Sequence, residues 1–381
     1  MPSVIVIGAG LLGSSVAYHL ARRGIDVTVL EAGRPGGGTS SATFAWVNAQ
    51  DKAPAAYFDL NVAGVDAHRR LAGELGDEWY HPGGDLAIAR GAGIAGLQAR
   101  IERHQALGYP VRALDRAAVS DFEPRLELGP DELLGAHWEA EAWIDPPVLI
   151  GRLLSAARAH GARLLSGSRV IDIDAHGGRV RRIRLESGDS LRPETLVIAA
   201  GPACGDLVRL AGFGLPMAPS PGLLAITEPI AGGVRRIVHD GEVALRPDGA
   251  GRVMVTSRAV DATLDPAVRT LEPEAEPCRE LLSRASRLLP DMRAVRFEAV
   301  RVGVRSMPAD GLPAVGYVPG VENAYVVVSH SGVTLAPVLG ALVAGDLGAG
   351  DEAALDPFRL GRFVAGAAEP QPRAAHAASA T

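Results

Sequence analysis

Four residues near the start of the chain have the types and spacing to hold a phosphorylated cofactor. They are Gly8, Gly10, Gly13 and Glu31, in the stretch Ser3 to Glu31, SVIVIGAGLLGSSVAYHLARRGIDVTVLE. Gly8 can make a tight turn, Gly10 lets backbone come close to a pyrophosphate, and Gly13 lets a helix pack hard against strands. Leu11 and Leu12 lie in the same turn, where unpaired N–H groups and the positive helix end favour an anion. Glu31 and its neighbour Ala32 fall where a ribose diol would sit, and a carboxylate there repels a 2′-phosphate, which excludes NADP. An ordinary glycine-rich turn would need none of this order, yet strand, helix, second strand and terminal acid all follow in register. The fingerprint does not separate NAD from FAD.

The elements needed to position these groups form one βαβ unit: an apolar run Val4 to Ile7, a helical pattern to Arg23 stopped by Gly24, and an apolar strand Val27 to Leu30. Next comes Ala32 to Ala42, rich in glycine and hydroxyls. Thr39 and Ser40 could wrap the far half of a long dinucleotide, and the apolar Thr43 to Val47, with Phe44, Ala45 and Trp46, suits a loop that dives inward.

Composition narrows the partners. With 381 residues, 47% hydrophobic and 22% charged, the chain can bury one large core or two intertwined ones. A formal net charge of −6 and a pI near 6.0 give no general attraction to nucleic acid or anionic lipid, so a small-molecule partner is expected. Lys52 is the only lysine, so in this arginine-rich chain a single arginine says little. Cys204 and Cys278 stand far apart with neither disulfide nor metal spacing, which fits a reduced cytoplasmic setting and no metal. Neither a targeting segment nor a membrane span is expected.

Later segments elaborate the nucleotide-binding core. Pro54 to Leu75 reads as a helix with a core-facing aromatic and apolar side, Gly83 to Ala89 as a turn into a strand, and Gly91 to Leu107 as a helix. Tyr80, His81 and Trp46 are candidates to line a cavity. Pro146 to His160 is a helix with proline in its first turn. A meander of short strands through Val170 and Leu185 follows, then the buried strand Thr195 to Ala199, ending at Ala200 and Gly201. An NAD domain would continue through βα repeats, so this insertion favours FAD. Leu223 to Glu228, Val243 to Leu245, Val253 to Ser257 and Glu298 to Val304 suggest a second, antiparallel sheet, with a helix near Glu272 to Leu288. Asn323 to Val328 returns as a strand, Ser329 to Val333 as a polar turn, and a small-residue helix follows. Pro337 fits only a first turn, which places that helix start near Thr334. Ala365 to Thr381 is expected to be disordered.

With these residues in view, the chain resembles the FAD-dependent D-amino acid oxidase superfamily, in particular its glycine oxidase and sarcosine oxidase branch. The resemblance runs nearly end to end and rests on the opening βαβ stretch, GGGTSSA, the DPP before the helix at Pro146, LVIAAGP, VGVRSMPADGLPAVG and YVVVSHSGVTLAPVLGALVAGDL. It implies that Thr39, Ser40 and Phe44 to Trp46 lie along the flavin, that the Val170 backbone meets the adenine end, and that Ala200 and Gly201 line the cofactor. The turn His330, Ser331, Gly332, Val333 and Thr334 would approach the flavin pyrimidine, where a helix start favours negative charge. Arg305 matches an arginine that pairs with a substrate carboxylate, with a structural ion pair as the alternative. His330 and Trp46 would border the substrate, His330 mainly through its backbone rather than as a base. Gly303 stands where sarcosine oxidases carry a flavin-tethering cysteine, which implies noncovalent FAD. Met254 is the nearest match to a lysine that assists oxygen reduction, and no tyrosine stands near Glu242 and Val243, where glycine oxidases have one.

The fold expected is α/β: a Rossmann-type (GR2-like) FAD-binding domain from residues 1–45, 146–210 and 303–364, and an α+β substrate domain on an antiparallel sheet from 46–145 and 211–302. The activity implied is oxidation of the C–N bond of an amino acid or N-substituted amino acid, with hydride passing to flavin N5 and oxygen returning hydrogen peroxide. Three alternatives stay open: a same-fold dehydrogenase feeding a quinone or carrier, on an amine or a 2-hydroxy acid; a tailoring oxidase acting on a larger amine; and a flavin-binding protein without turnover. Substrate, electron acceptor and oligomeric state are left open by the sequence.

Overall fold

In the computed structural model, which describes residues 3–348, 350 and 352–364, the opening apolar runs become the centre of a six-stranded sheet. Ser3–Ile7 pairs in parallel with Asp26–Glu31 on one side and with Thr195–Ile198 on the other. Arg163–Ser166 extends the sheet beyond Asp26–Glu31, and Ala324–Val328 extends it beyond Thr195–Ile198, both in parallel. Ala314–Tyr317 closes that edge antiparallel. The central strands are apolar on both faces because both faces are covered. Helices Leu11–Arg22, Pro146–Ala159 and Gly332–Gly348 lie on one face, where Leu20, Leu149, Leu335, Leu339 and Val343 are fully buried. Each such side chain is worth about 1.5–3 kcal/mol of transfer energy. Gly340 lets two of these helices touch, since a Cβ there would lie 2.2 Å from Ser15 Oγ.

Parallel strands decide where the chemistry goes. Ser3–Ile7 and Ala324–Val328 run the same way, so the helices that follow them, Leu11–Arg22 and Gly332–Gly348, both begin at the carboxyl edge of the sheet.

The second sheet has eight strands, in the order Phe297–Val304, Pro221–Thr227, Val253–Thr256, Ala244–Pro247, Ile237–His239, Asp85–Arg90, Leu133–Trp138 and Arg112–Leu114. The antiparallel expectation holds for every neighbouring pair but one: Ile237–His239 runs parallel to Asp85–Arg90, where two distant parts of the chain are joined. Helix Glu276–Leu288 covers this sheet through Cys278, Leu281, Ala285 and Leu288. A small sheet of Trp46–Val47, Ala142–Ile144 and Tyr80–Pro82 bridges toward the first.

Some helix boundaries differ from the sequence reading: the helix expected near Glu272 begins at Glu276, and that expected from Gly91 to Leu107 spans Gly93–Ala106. The helix expected from Thr334 starts at Gly332, and Pro337 sits inside it. The proline has no N–H for the carbonyl of Val333, and the ring Nε2 of the fully buried His68 takes that oxygen at 2.9 Å. Burial lowers His68 to about 4, which keeps the imidazole neutral and Nε2 able to donate. A partner from another helix thus satisfies the carbonyl that the proline leaves open. The expected disorder of 365–381 falls outside the described residues.

Candidate functional site

Both helix starts open into one cavity of about 2410 Å³, well above the roughly 300–1,000 Å³ of a drug-sized ligand pocket. It is large enough for a dinucleotide and a small substrate together. Gly8, Gly10, Leu11, Leu12, Glu31, Ala32, Thr39, Ser40, Phe44, Ala45, Trp46, Val170, Ala200, Gly201, Arg305 and His330 through Thr334 all line it. Gly13 does not. Its task is packing, because a Cβ there would lie 1.9 Å from the Gly8 carbonyl oxygen.

The glycine turn fits a pyrophosphate. Gly8 has φ +103°, and Gly10 caps the first helix with no side chain of its own to bond the open N–H groups. Ser40 Oγ accepts from Leu11 N–H at 3.2 Å. Glu31 anchors the turn: Oε2 accepts from Ala9 N–H at 2.9 Å and Oε1 from Gly33 N–H at 2.8 Å, so each oxygen keeps a lone pair for a ribose hydroxyl. Thr39 donates to the Val304 carbonyl at 2.7 Å, tying the hydroxyl loop to the second sheet. Ala45 adopts φ +61°, rare for a residue with a Cβ, at the point where the chain turns in toward Trp46.

At the other helix start, Ser331 Oγ and Tyr57 OH lie 2.6 Å apart, and burial raises the Tyr57 phenol. Thr334 Oγ1 accepts from Asn48 N–H at 3.1 Å. His330 is the exposed residue of this turn. Arg305 lines the cavity, but its guanidinium is engaged: it donates to the Pro221 carbonyl at 2.5 Å and pairs with Asp261, which in turn accepts from Leu223 N–H at 2.7 Å. The structure therefore shows the ion-pair arrangement for Arg305. Gly303 presses on Ala42, whose carbonyl oxygen would be 2.2 Å from a Cβ, so a cysteine does not fit there without moving backbone. Neither Cys204 nor Cys278 lines the cavity.

Other expectations find different places. Tyr80 and His81 lie outside this cavity; His81 stacks on Trp143 at 3.7 Å and bonds Asp145 at 2.8 Å. Met254 is buried against Leu224 and Ile226, off the cavity. Tyr57 is buried in the core, as the helix's aromatic side was read, and also brings the cavity a phenol.

Sequence reasoning missed the polar wall behind Trp46. Glu141 is fully buried and accepts from Trp46 Nε1 at 2.8 Å, Gln50 Nε2 at 2.8 Å, Tyr109 OH at 3.0 Å and Ala49 N–H at 3.2 Å. Burial and the charge of Asp85 push Glu141 up to about 8 against the pull of these donors. Gln50 also donates to Asp85 at 2.9 Å and accepts from Arg100 at 2.7 Å. Lys52 lines the same cavity, and burial, helped by Arg258, lowers its amine to about 8. The singular lysine was a visible signal; the dispersed acids and Gln50 carried none.

A Rossmann sheet whose glycine turn and late helix start share a cleft, facing a second sheet of polar and aromatic side chains, defines a dinucleotide-dependent enzyme. The sequence profile of the FAD dependent oxidoreductase (DAO) family matches residues 3–345, and the chain belongs to that family, whose cofactor is FAD. It is 29% identical over 354 residues to a glycine oxidase of Bacillus licheniformis, covering 89% of this chain and 91% of the relative. It is 26% identical to the hydrogen cyanide synthase subunit HcnC of Pseudomonas aeruginosa, over 97% of each chain. The crystal structure of glycine oxidase from Geobacillus kaustophilus superposes with a TM-score of 0.84 at 25% identity, covering 94% of this chain and 99% of that one. Among the described residues no single helix is long and apolar enough to cross a membrane.

Proposed function

We propose that this protein oxidises the C–N bond of an amino acid or N-substituted amino acid at noncovalently held FAD. One observation carries the reading: a single cavity runs from the helix start at Gly10 to the second helix start at Gly332 and on to the polar wall around Trp46. The names of the relatives, glycine oxidase foremost, agree with an amino acid substrate. FAD, when bound, supplies the two-electron acceptor that turns an amine into an imine. The chain's part is to hold it. Gly8, Gly10, Leu11 and Leu12 would meet the pyrophosphate, Glu31 and Ala32 the ribose, and Val170, Ala200 and Gly201 the adenine half. Thr39, Ser40 and Phe44 to Trp46 would lie along the flavin, with His330 to Thr334 at its pyrimidine. Residues 1–45, 146–210 and 303–364 would form the FAD domain, and 46–145 with 211–302 the substrate domain.

Oxygen as final acceptor, with hydrogen peroxide as product, belongs to the same reading. The rival, a dehydrogenase feeding a quinone or carrier protein, draws support from Met254, which buries an apolar side chain off the cavity. Two buried, widely separated thiols agree with a cytosolic setting.

The test is to mix the yellow protein anaerobically with amines, amino acids and 2-hydroxy acids and follow loss of flavin absorbance. Amino acids should bleach it. Bleaching by hydroxy acids alone would overturn the amine reading, and an absence of peroxide in air would move the acceptor to a carrier.

A further inference from the structure

The polar wall contains a histidine that the cofactor site does not use. His239 ends the strand Ile237–His239 and pairs with Ala87 of Asp85–Arg90. Side chains two apart on a strand share a face, so Asp85 and Ala87 point the same way, and the small Ala87 lets the imidazole lean along the strand to Asp85. His239 Nε2 lies 3.1 Å from Asp85 Oδ2. The ring packs on Trp46, centroids 5.4 Å apart. His239 lines the cavity, its side chain 16% exposed, and Asp85 is fully buried behind it. With Nε2 on the carboxylate, Nδ1 is the ring nitrogen left for a ligand.

Gln50 is the other side-chain donor to Asp85, whose Oδ1 has no partner among the described residues. The Asp85 carboxylate fixes the orientation of the ring through its contact with Nε2. Of the acids lining the cavity, Asp51 pairs with Arg100 and Arg103, Glu242 with Arg284 and Asp261 with Arg305. The charged groups around the dyad are Glu141 and Arg100, both linked to it through Gln50, with Lys52 on the same cavity and Asp240, the next residue, paired to Arg90.

An amine substrate reaches the site as an ammonium ion, and a C–H hydride leaves only from carbon next to a nitrogen with a lone pair. We propose that His239 takes that proton, with Asp85 as the positioning residue that fixes the ring and stabilises its charge. An N–H bond of the ammonium breaks, the proton moves to Nδ1, and the electron pair stays on the substrate nitrogen. No electron is transferred in this step. The imidazolium then returns the proton to cavity water. This inference rests on the amine reading of the same site.

The experiment has two arms. The first is the pH dependence of kcat/KM for anaerobic flavin reduction by an amino acid in the wild type, His239→Gln and Asp85→Asn. In His239→Gln the rate should fall by about 10²–10⁴-fold near neutral pH and recover as pH approaches the pKa of the free amine. An unchanged acid limb overturns the proposal. The second arm needs no turnover: in 15N-histidine-labelled protein the His239 Nε2 resonance should report its bond to Asp85 and shift in Asp85→Asn. An unshifted resonance overturns the role of Asp85. Should His239→Gln fail to fold, the wild-type ring still decides, since a ring that does not titrate across the acid limb cannot be the acceptor. Failure of every amine to bleach the flavin would sink the amine reading instead. Amines that bleach His239→Gln with the wild-type pH profile would sink this inference alone.

Discussion

The two ends of the cavity are built by opposite means. At the glycine turn the binding groups are backbone N–H groups set by one contiguous segment, Ser3 to Glu31, and the side chains matter mostly by being absent. Around Trp46 the working groups are side chains from distant parts of the chain: Gln50, Asp85, Glu141 and His239 meet only because two strands and two loops converge. The first end depends on geometry that tolerates no added atoms. The second depends on a set of donors and acceptors that tolerates no lost partner.

The largest effect expected from breaking this contrast is at Gly13. Gly13→Ala puts a methyl group where the Gly8 carbonyl oxygen already is, and backbone rather than a flexible side chain must move. The variant should fold poorly or be purified without yellow colour, and full flavin occupancy would show that the turn is less rigid than its packing implies.

At the side-chain end, Arg305→Leu removes the cation from Asp261, whose side chain is 7% exposed, and should cost on the order of 3 kcal/mol in denaturant unfolding. If Arg305 also binds a substrate carboxylate, adding Asp261→Asn should restore stability but leave KM high. A KM that recovers in the double variant would make Arg305 purely structural.

Glu141→Gln should cost about 1–3 kcal/mol, because an amide NH₂ would face two of the four donors that now converge there. Glu141 is also held above the ordinary carboxylate value, at about 8. It keeps a proton that the unfolded chain has lost, so its contribution is intact below about pH 4.5 and declines as pH rises through about 8. The melting temperature of Glu141→Gln should therefore fall less than that of the wild type between about pH 5 and about pH 8, and parallel curves would contradict the assignment.

Pro337→Ala is the mildest change. It restores an N–H that can compete with His68 for the Val333 carbonyl, and stability should move by less than about 1 kcal/mol. A larger loss would mean that the proline ring itself shapes the second helix start.

The sequence alone determined the nucleotide end, the parallel core and the FAD-dependent family, because a βαβ turn is a local object: its glycines, its apolar runs and its terminal acid are read within a few residues of one another. It also placed the late strand and the turn at Ser329 to Val333. Only the tertiary structure decided that the last helix begins at Gly332, since the carbonyl freed by Pro337 is satisfied by His68, far away in sequence. Only it paired Arg305 with Asp261 and set His239 on Asp85, through a parallel strand pairing that joins residues about 150 apart. A lone Asp, Gln or His has no period and no motif. What it does depends on which partner the folded sheet brings within hydrogen-bonding distance, and a linear pattern does not contain that distance.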